Sequence, residues 1–299
     1  MNAIAGNYQD LQDPKIVAEI GCNHLGDVEI AEKMIRTASE YCDVDYVKFQ
    51  KRNPSELLSP EQYNQPHPNP ANTYGETYGA HREFLEFDLD THRRLVETCK
   101  RWNIGYSCSV WDMTSAREIA SLEPEFIKIP SASNTHHDML RFLCDSFGGD
   151  VHLSLGMTTV EEEEAILRLF EDSGRTGSLV LYHTTSGYPV PFEDLVLLEI
   201  PRLKEKYDGV VGSIGFSGHH LGIFADVIAF TLGARWVERH FTLDRTWKGT
   251  DHAASLEPEG MRRVTRDLRN ARKVLAVKPQ EILDIEKPQR DKLKWQPSS

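Results

Sequence analysis

Short apolar runs and apolar positions at helical spacing take turns along most of this chain. Lys15 to Gly21 (K-I-V-A-E-I-G) predicts a buried strand whose apolar run is broken by Glu19. Val28 to Tyr41 follows, with Ile30, Met34, Ile35 and Ala38 on one helical face. Tyr46 to Gln50 predicts a second strand with Lys48 inside it, and residues 52–88 a long polar insertion of the kind that is usually functional or mobile. Beyond it the pattern gives a helix over 90–102, a strand from Ile104 to Ser109, a helix near 113–121 and a strand from Phe126 to Ile129. A helix over 137–146 and a strand from Val151 to Leu155 come next. Thr158 with Glu161 reads as a capping box, with the acidic run to Glu164 as favourable charge at a helix N-terminus. Strand Leu179 to His183, helix 192–206, strand Val210 to Phe216, helix 222–232, strand Arg235 to His240 and helix 258–276 complete the series.

Such alternation implies a parallel sheet with right-handed crossovers. About eight strand–helix units favour closure into a (β/α)8 TIM barrel over an open doubly wound sheet, and 299 residues suit a fold that takes about 250. No G-x-G-x-x-G follows the first strand, which removes the main dinucleotide signal.

In a barrel of this kind the strand C-termini carry the active site, and polar residues gather there: Glu19, Lys48 and Gln50, Ser109, Lys128 and Ser131, His183 and Ser186, Ser217 and His219, Glu238 and His240. Glu238, Arg239 and His240 in succession must be paired, metal-bound or facing a cleft, because a buried unpaired charge costs several kcal/mol or more. His219 and His240 end neighbouring strands and are candidate ligands of one divalent cation, Mn²⁺ or Mg²⁺ being favoured over Zn²⁺ or Fe²⁺ if hard oxygen ligands fill the shell. Such an ion polarises a carbonyl. Lys48 and Lys128 are placed to clamp a phosphate or carboxylate, or one of them to form a Schiff base, with Ser109, Ser131 and Ser217 as short donors. Plainer readings stand beside these: Asp251 and His252 as a supporting pair, His24 as a loop hydrogen-bonder, His136 and His137 as surface residues at a helix start, and Tyr74, Tyr78 and Phe84 as packing for the insertion.

The formal net charge of -12 argues against nucleic acid as a partner, and leaves any anionic substrate to a few local lysines. No apolar run approaches the roughly 20 residues of a membrane span, and the first ten residues lack an export pattern. The 5 cysteines include no C-x-x-C, which suits reduced thiols in a cytoplasm.

Several blocks give a more specific reading. A-E-I-G-C-N-H-L-G-D (18–27), V-K-F-Q (47–50), T-Y-G-A-H-R-E-F-L-E-F (77–87), F-I-K-I-P-S-A-S-N (126–134), G-Y-P-V-P-F-E-D-L (187–195), F-S-G-H (216–219) and E-R-H-F-T-L-D-R-T-W-K-G-T-D-H-A-A-S-L-E-P (238–258) resemble the sialic acid synthase family. The T-Y-G and T-W-K-G-T-D-H wording looks most like the animal-type 9-phosphate synthases. The resemblance implies condensation of phosphoenolpyruvate with an N-acylated hexosamine such as N-acetylmannosamine or its 6-phosphate. It matches His219 and His240 to the metal ligands, and Lys48, Ser109, Lys128, Ser131, Ser186 and Ser217 to the phosphoenolpyruvate site. Glu19, Gln50, Asn72, Tyr188 and Asp251 match positions around the sugar and the attacked carbonyl, with Glu19 orienting water. It also implies a homodimer. Two departures are expected to matter: Ser133 stands where the family has an acid near the sugar, and the sequence given stops at K-P-Q-R-D-K-L-K-W-Q-P-S-S, where the family's small C-terminal antifreeze-like domain, which reaches an arginine across the dimer, would begin. The expected organisation is one barrel domain over 1–280 with a tail over 281–299. The alternatives are another 3-deoxy-ulosonate synthase with a different aldose, or a non-catalytic sugar-binding relative.

Overall fold

The computed structural model describes residues 12–295; the first eleven residues and the last four of the tail, on which expectations about export and domain limits partly rest, lie outside the described residues. Eight parallel strands close in chain order into a barrel: β1 (Lys15–Gly21), β2 (Tyr46–Lys51), β3 (Gly105–Val110), β4 (Phe126–Ile129), β5 (Asp150–Ser154), β6 (Leu179–His183), β7 (Ser213–Gly218) and β8 (Trp236–His240). Around it run α1 (Val28–Glu40), α2 (Leu89–Arg101), α3 (Met113–Ala120), α4 (His137–Ser146), α5 (Val160–Asp172), α6 (Glu199–Tyr207), α7 (Phe224–Leu232) and α8 (Pro258–Val274). This is the expected (β/α)8 TIM barrel.

Strand alternation sorts the charged run on β8. Trp236, Glu238 and His240 face the barrel interior while Val237 and Arg239 face the helices. Arg239 is fully buried and donates to Asp226 Oδ2 on α7 at 2.6 Å and to the His220 carbonyl at 2.6 Å. It is a structural ion pair, which is how a guanidinium is tolerated between sheet and helix.

The outward residues of the strands form the main core against the helices, Ile16, Val47, Cys108, Ile127, Leu153 and Val237 among them. Inside, Val17, Tyr46, Phe126 and Trp236 form a separate cluster. His152 stacks on Phe126 with centroids 3.8 Å apart, and its Nδ1 lies 3.0 Å from the Tyr182 hydroxyl. Burial holds His152 well below the usual histidine range, so it serves this floor as a neutral ring. The N-terminal half of the barrel is thus filled by rings, and polar side chains are left to the C-terminal half.

Three local expectations change. The capping box is Thr159 with Glu162, one residue on, because Thr158 instead accepts from Asn134 Nδ2 at 2.6 Å. The segment 192–206 is a short turn (Phe192–Asp194) followed by α6, the two separated by Val196 at φ 39°. Residues 210–212 belong to the turn after α6, where Val210 N–H donates to Tyr207 O, so β7 starts at Ser213. The insertion carries helices Pro54–Leu57, Pro60–Asn64 and Tyr78–Leu85, capped by Asn53, Ser59 and Thr77. Among the described residues no helix is long and apolar enough to cross a membrane.

Candidate active site

The register of four strands assembles the centre. Glu19 on β1 lies beside Lys48 on β2 and beside His240 on β8, and Ser217 on β7 lies beside Glu238. Lys48 Nζ is 2.5 Å from Glu19 Oε2 and 3.6 Å from Glu238 Oε1, and donates to Ser109 Oγ at 2.6 Å. Lys128 Nζ is 3.0 Å from Glu238 Oε2 and lies over the Tyr182 ring, 3.5 Å from its centroid. Gln50 Nε2 donates to Glu19 Oε1 at 3.0 Å, and Ser217 Oγ donates to Glu238 Oε1 at 3.1 Å. Every charge in this group is buried, and each has an opposite charge in contact, which is the condition under which buried ions are tolerated.

Environment splits the two lysines. Burial pulls Lys48 down, but Glu19 and Glu238 outweigh it and hold the amine above the ordinary lysine range. Lys128 is pulled down by burial to about 8, with Glu238 opposing and Lys48 adding to the fall. Glu238 sits below the usual carboxylate range, because Lys128 and Lys48 overcome the effect of its burial. Glu19 sits above it, since burial there exceeds the pull of Lys48.

His219 and His240 meet beside this network with ring centroids 5.3 Å apart. His219 Nδ1 lies 3.0 Å from the Thr185 carbonyl, which can only accept, so Nδ1 carries the proton and Nε2 presents a lone pair. Burial, then the neighbouring His240, pushes its pKa down to about 3, so the ring is neutral. His240 Nδ1 is buried without a hydrogen-bond partner, and Asp251 Oδ2 stands 3.9 Å away, beyond bonding range. A buried nitrogen left so costs about 1–3 kcal/mol, which an ion or a water there would relieve. Among the described residues no ready-made cluster of three His, Cys, Asp or Glu ligands exists. The pair therefore fits an open divalent site completed by water and substrate, not a closed structural one.

These groups line a cavity of about 390 Å³ at the C-terminal end of the barrel, together with Ser131, Ser186, Tyr188 and Asp251. Tyr188 leans on His219, with centroids 4.3 Å apart. A Cβ on Gly156 would stand 2.4 Å from Ser186 Oγ and 2.7 Å from Ser131 Oγ, so the two hydroxyls converge over a bare backbone. From the insertion, Arg52, His81 and Arg82 reach the outer wall, with Trp111 from the end of β3.

Residues 34–280 match the NeuB family. The chain belongs to the NeuB family.

Among its relatives there, N-acetylneuraminate-9-phosphate synthase of Drosophila melanogaster is 36% identical over 273 residues, 90% of this chain and 71% of that protein. N,N'-diacetyllegionaminic acid synthase of Campylobacter jejuni is 31% identical over 87% of this chain and 77% of its own length. The crystal structure of N-acetylneuraminic acid (sialic acid) synthetase from Leptospira borgpetersenii superposes with a TM-score of 0.79 at 28% identity, covering 95% of this chain and 94% of the other.

Within the NeuB-family barrel, the cavity brings together most residues picked from sequence. Three of them lie elsewhere. His183 faces out of the barrel, its Nε2 on the Leu195 carbonyl at 2.7 Å and outside the cavity lining. Ser133 is buried with its hydroxyl donating to the Trp111 carbonyl at 2.9 Å, outside the cavity lining, because the short turn Ser131–Ser133 carries it round to the back. Asn72 ends the turn Pro70–Asn72 in the insertion and also lies outside the lining. Glu238, read in the sequence as a strand-end charge that needs a partner, proves to be the shared partner of both lysines. Gly156, His81 and Arg82 had no local signal of their role, although His81 and Arg82 fall within a family-like block.

Proposed function

We propose that this chain condenses phosphoenolpyruvate with the aldehyde form of an N-acylated hexosamine, giving a nonulosonic acid and inorganic phosphate. The observation that carries the reading is the convergence, in one cavity, of the Lys48–Glu19–Glu238–Lys128 network with the His219–His240 pair. Lys48 and Lys128 hold the anionic groups of phosphoenolpyruvate, and Ser131 and Ser186 add donors over Gly156. A divalent cation held by His219 and His240, Mn²⁺ by the chemistry of the donor set, would supply Lewis acidity at the aldehyde oxygen.

Tyr188 and Asp251 border that pair and orient the sugar hydroxyls beside it. The methylene carbon of phosphoenolpyruvate forms the new bond to the aldehyde carbon, and its π electrons leave an electron-poor C2. Glu19, fixed by Gln50 and Lys48, directs a water onto C2 and takes its proton. The C2–O bond to phosphate then breaks as the C2 hydroxyl gives its proton to the departing phosphate, and C2 becomes a ketone. The proton taken by Glu19 passes to the former aldehyde oxygen, which ends as a hydroxyl. One water is consumed and nothing is oxidised. The unpaired thiols of all five cysteines support a reducing compartment such as the cytoplasm for this chemistry.

The test is phosphate release from phosphoenolpyruvate with Mn²⁺ and a panel of aldoses that includes N-acetylmannosamine and its 6-phosphate. Release that depends on an N-acylated hexosamine supports the reading. Release only with other aldoses would point to a different ulosonate synthase, and release with none would leave a binding protein.

A further inference from the structure

The register between β7 and β8 ends at Gly218–Arg239, one residue short of both His219 and His240. Past that point the two strand ends are joined through a side chain, that of Arg239. Its Nη2 donates to the His220 carbonyl at 2.6 Å. Its Nη1 donates to the Gly222 carbonyl at 2.9 Å and to Asp226 Oδ2 at 2.6 Å, and lies 3.1 Å from His220 Nε2. A guanidinium can only donate, so that ring nitrogen accepts. One planar group on β8, next in the chain to His240, thus grips both the backbone and the ring of the residue that follows His219. Arg239, His220 and Asp226 are all buried, so water has little access to compete for these bonds.

Balancing the charge does not require this arrangement. Asp226 does that through one contact, and the remaining donors go to the loop after β7. From the other side, Val190 N–H donates to the His219 carbonyl at 3.0 Å and Thr184 Oγ1 to the Ser217 carbonyl at 2.8 Å. Both of those come from the loop after β6. Of these ties, Arg239 alone links the segment of His219 to the strand that carries His240. The guanidinium is a rigid fork, so the link sets a distance as well as a charge balance. Two imidazoles that share a cation must be placed within about 0.5 Å, and the 5.3 Å spacing of these rings depends on where the two strand ends are held.

We propose that Arg239, braced by Asp226, is a positioning residue that holds His219 and His240 at the spacing needed to share one divalent cation. This rests on the condensation reading above, in which the pair carries the cation. Arg239 itself lies on the helix side of β8, outside the cavity lining, and takes no part in bond making.

The experiment titrates the metal-free full chain with Mn²⁺, following the free ion by electron paramagnetic resonance, and records a thermal melt of each sample. The double variant Arg239→Met with Asp226→Leu removes both charges together. Replacing a buried ion pair by apolar residues of similar volume is often neutral for stability, so a cooperative melt is expected. A purely structural ion pair would then leave Mn²⁺ affinity at the wild-type value. The positioning role predicts instead a Kd for Mn²⁺ raised about 10–100-fold in the folded double variant, the range for losing an outer partner of metal ligands. Arg239→Lys keeps the charge beside Asp226 without the planar fork, so it should weaken Mn²⁺ binding by a smaller factor. Wild-type affinity in the folded double variant, or in Arg239→Lys should the double variant not fold, would overturn the assignment. No Mn²⁺ binding by the wild type would instead sink the cation site of the condensation reading, so the two failures are told apart.

Discussion

Glu238 holds Lys128 by a 3.0 Å contact, yet Lys128 is the cation of the site most easily stripped of its proton. Burial is the reason, since Glu238 only partly offsets the cost of desolvating an ammonium above the Tyr182 ring. With its pKa lowered to about 8, kcat/KM for phosphoenolpyruvate should fall as pH rises through that value, chiefly by a rise in KM. Between about 8 and the unfolded lysine value near 10.4, the unfolded chain binds the proton that the native chain has released. This group alone then favours the native state as pH rises. Activity lost in that window without a fall in melting temperature supports the assignment, and a flat pH profile from 7 to about 9.5 contradicts it.

Glu238→Gln removes the carboxylate that both lysines share. Breaking a buried ion pair from one side costs about 3–5 kcal/mol, so the denaturation midpoint should drop markedly. Adding Lys128→Met should return part of that stability, because it removes a charge left without its partner. Strictly additive losses in the double variant would show that the two residues act independently.

His240→Ala should abolish phosphate release while the circular dichroism spectrum stays that of the wild type. Bound manganese measured by elemental analysis should fall with it, and a chelator should silence the wild type until Mn²⁺ is restored. Full turnover in metal-free buffer is the contrary outcome.

Gly156→Ala probes the hydroxyl cradle. The added methyl would stand 2.4 Å from Ser186 Oγ and 2.7 Å from Ser131 Oγ, so both hydroxyls must move. Loss of one charge-assisted hydrogen bond predicts a rise of roughly tenfold or more in KM for phosphoenolpyruvate. Unaltered KM would mean that the cradle does not touch this substrate.

Much of this was legible in the sequence because strand and helix periods differ and the polar strand ends are conspicuous. Glu19, Lys48, Lys128 and His240 sit on short strands, where register follows from the pattern and the number of units closes the barrel. What failed to show depends on contacts far apart in the chain. Thr158–Glu161 and Thr159–Glu162 satisfy the same capping spacing, and only Asn134, distant in sequence, decides between them. Ser133 matches a family position near the sugar, but a tight turn sends its hydroxyl to the Trp111 carbonyl. His81 and Arg82 join the cavity wall only once the insertion folds back over the barrel mouth, which no periodicity encodes.

The ring-filled floor made by Tyr46, Phe126, His152 and Trp236 turns the barrel into a blind well. Reactants and products share one doorway, so the molecule lodged lowest must go in first and come out last. Phosphoenolpyruvate should precede the sugar, and phosphate should follow the new acid, a sequence that inhibition by added phosphate, competitive against phosphoenolpyruvate alone, would reveal.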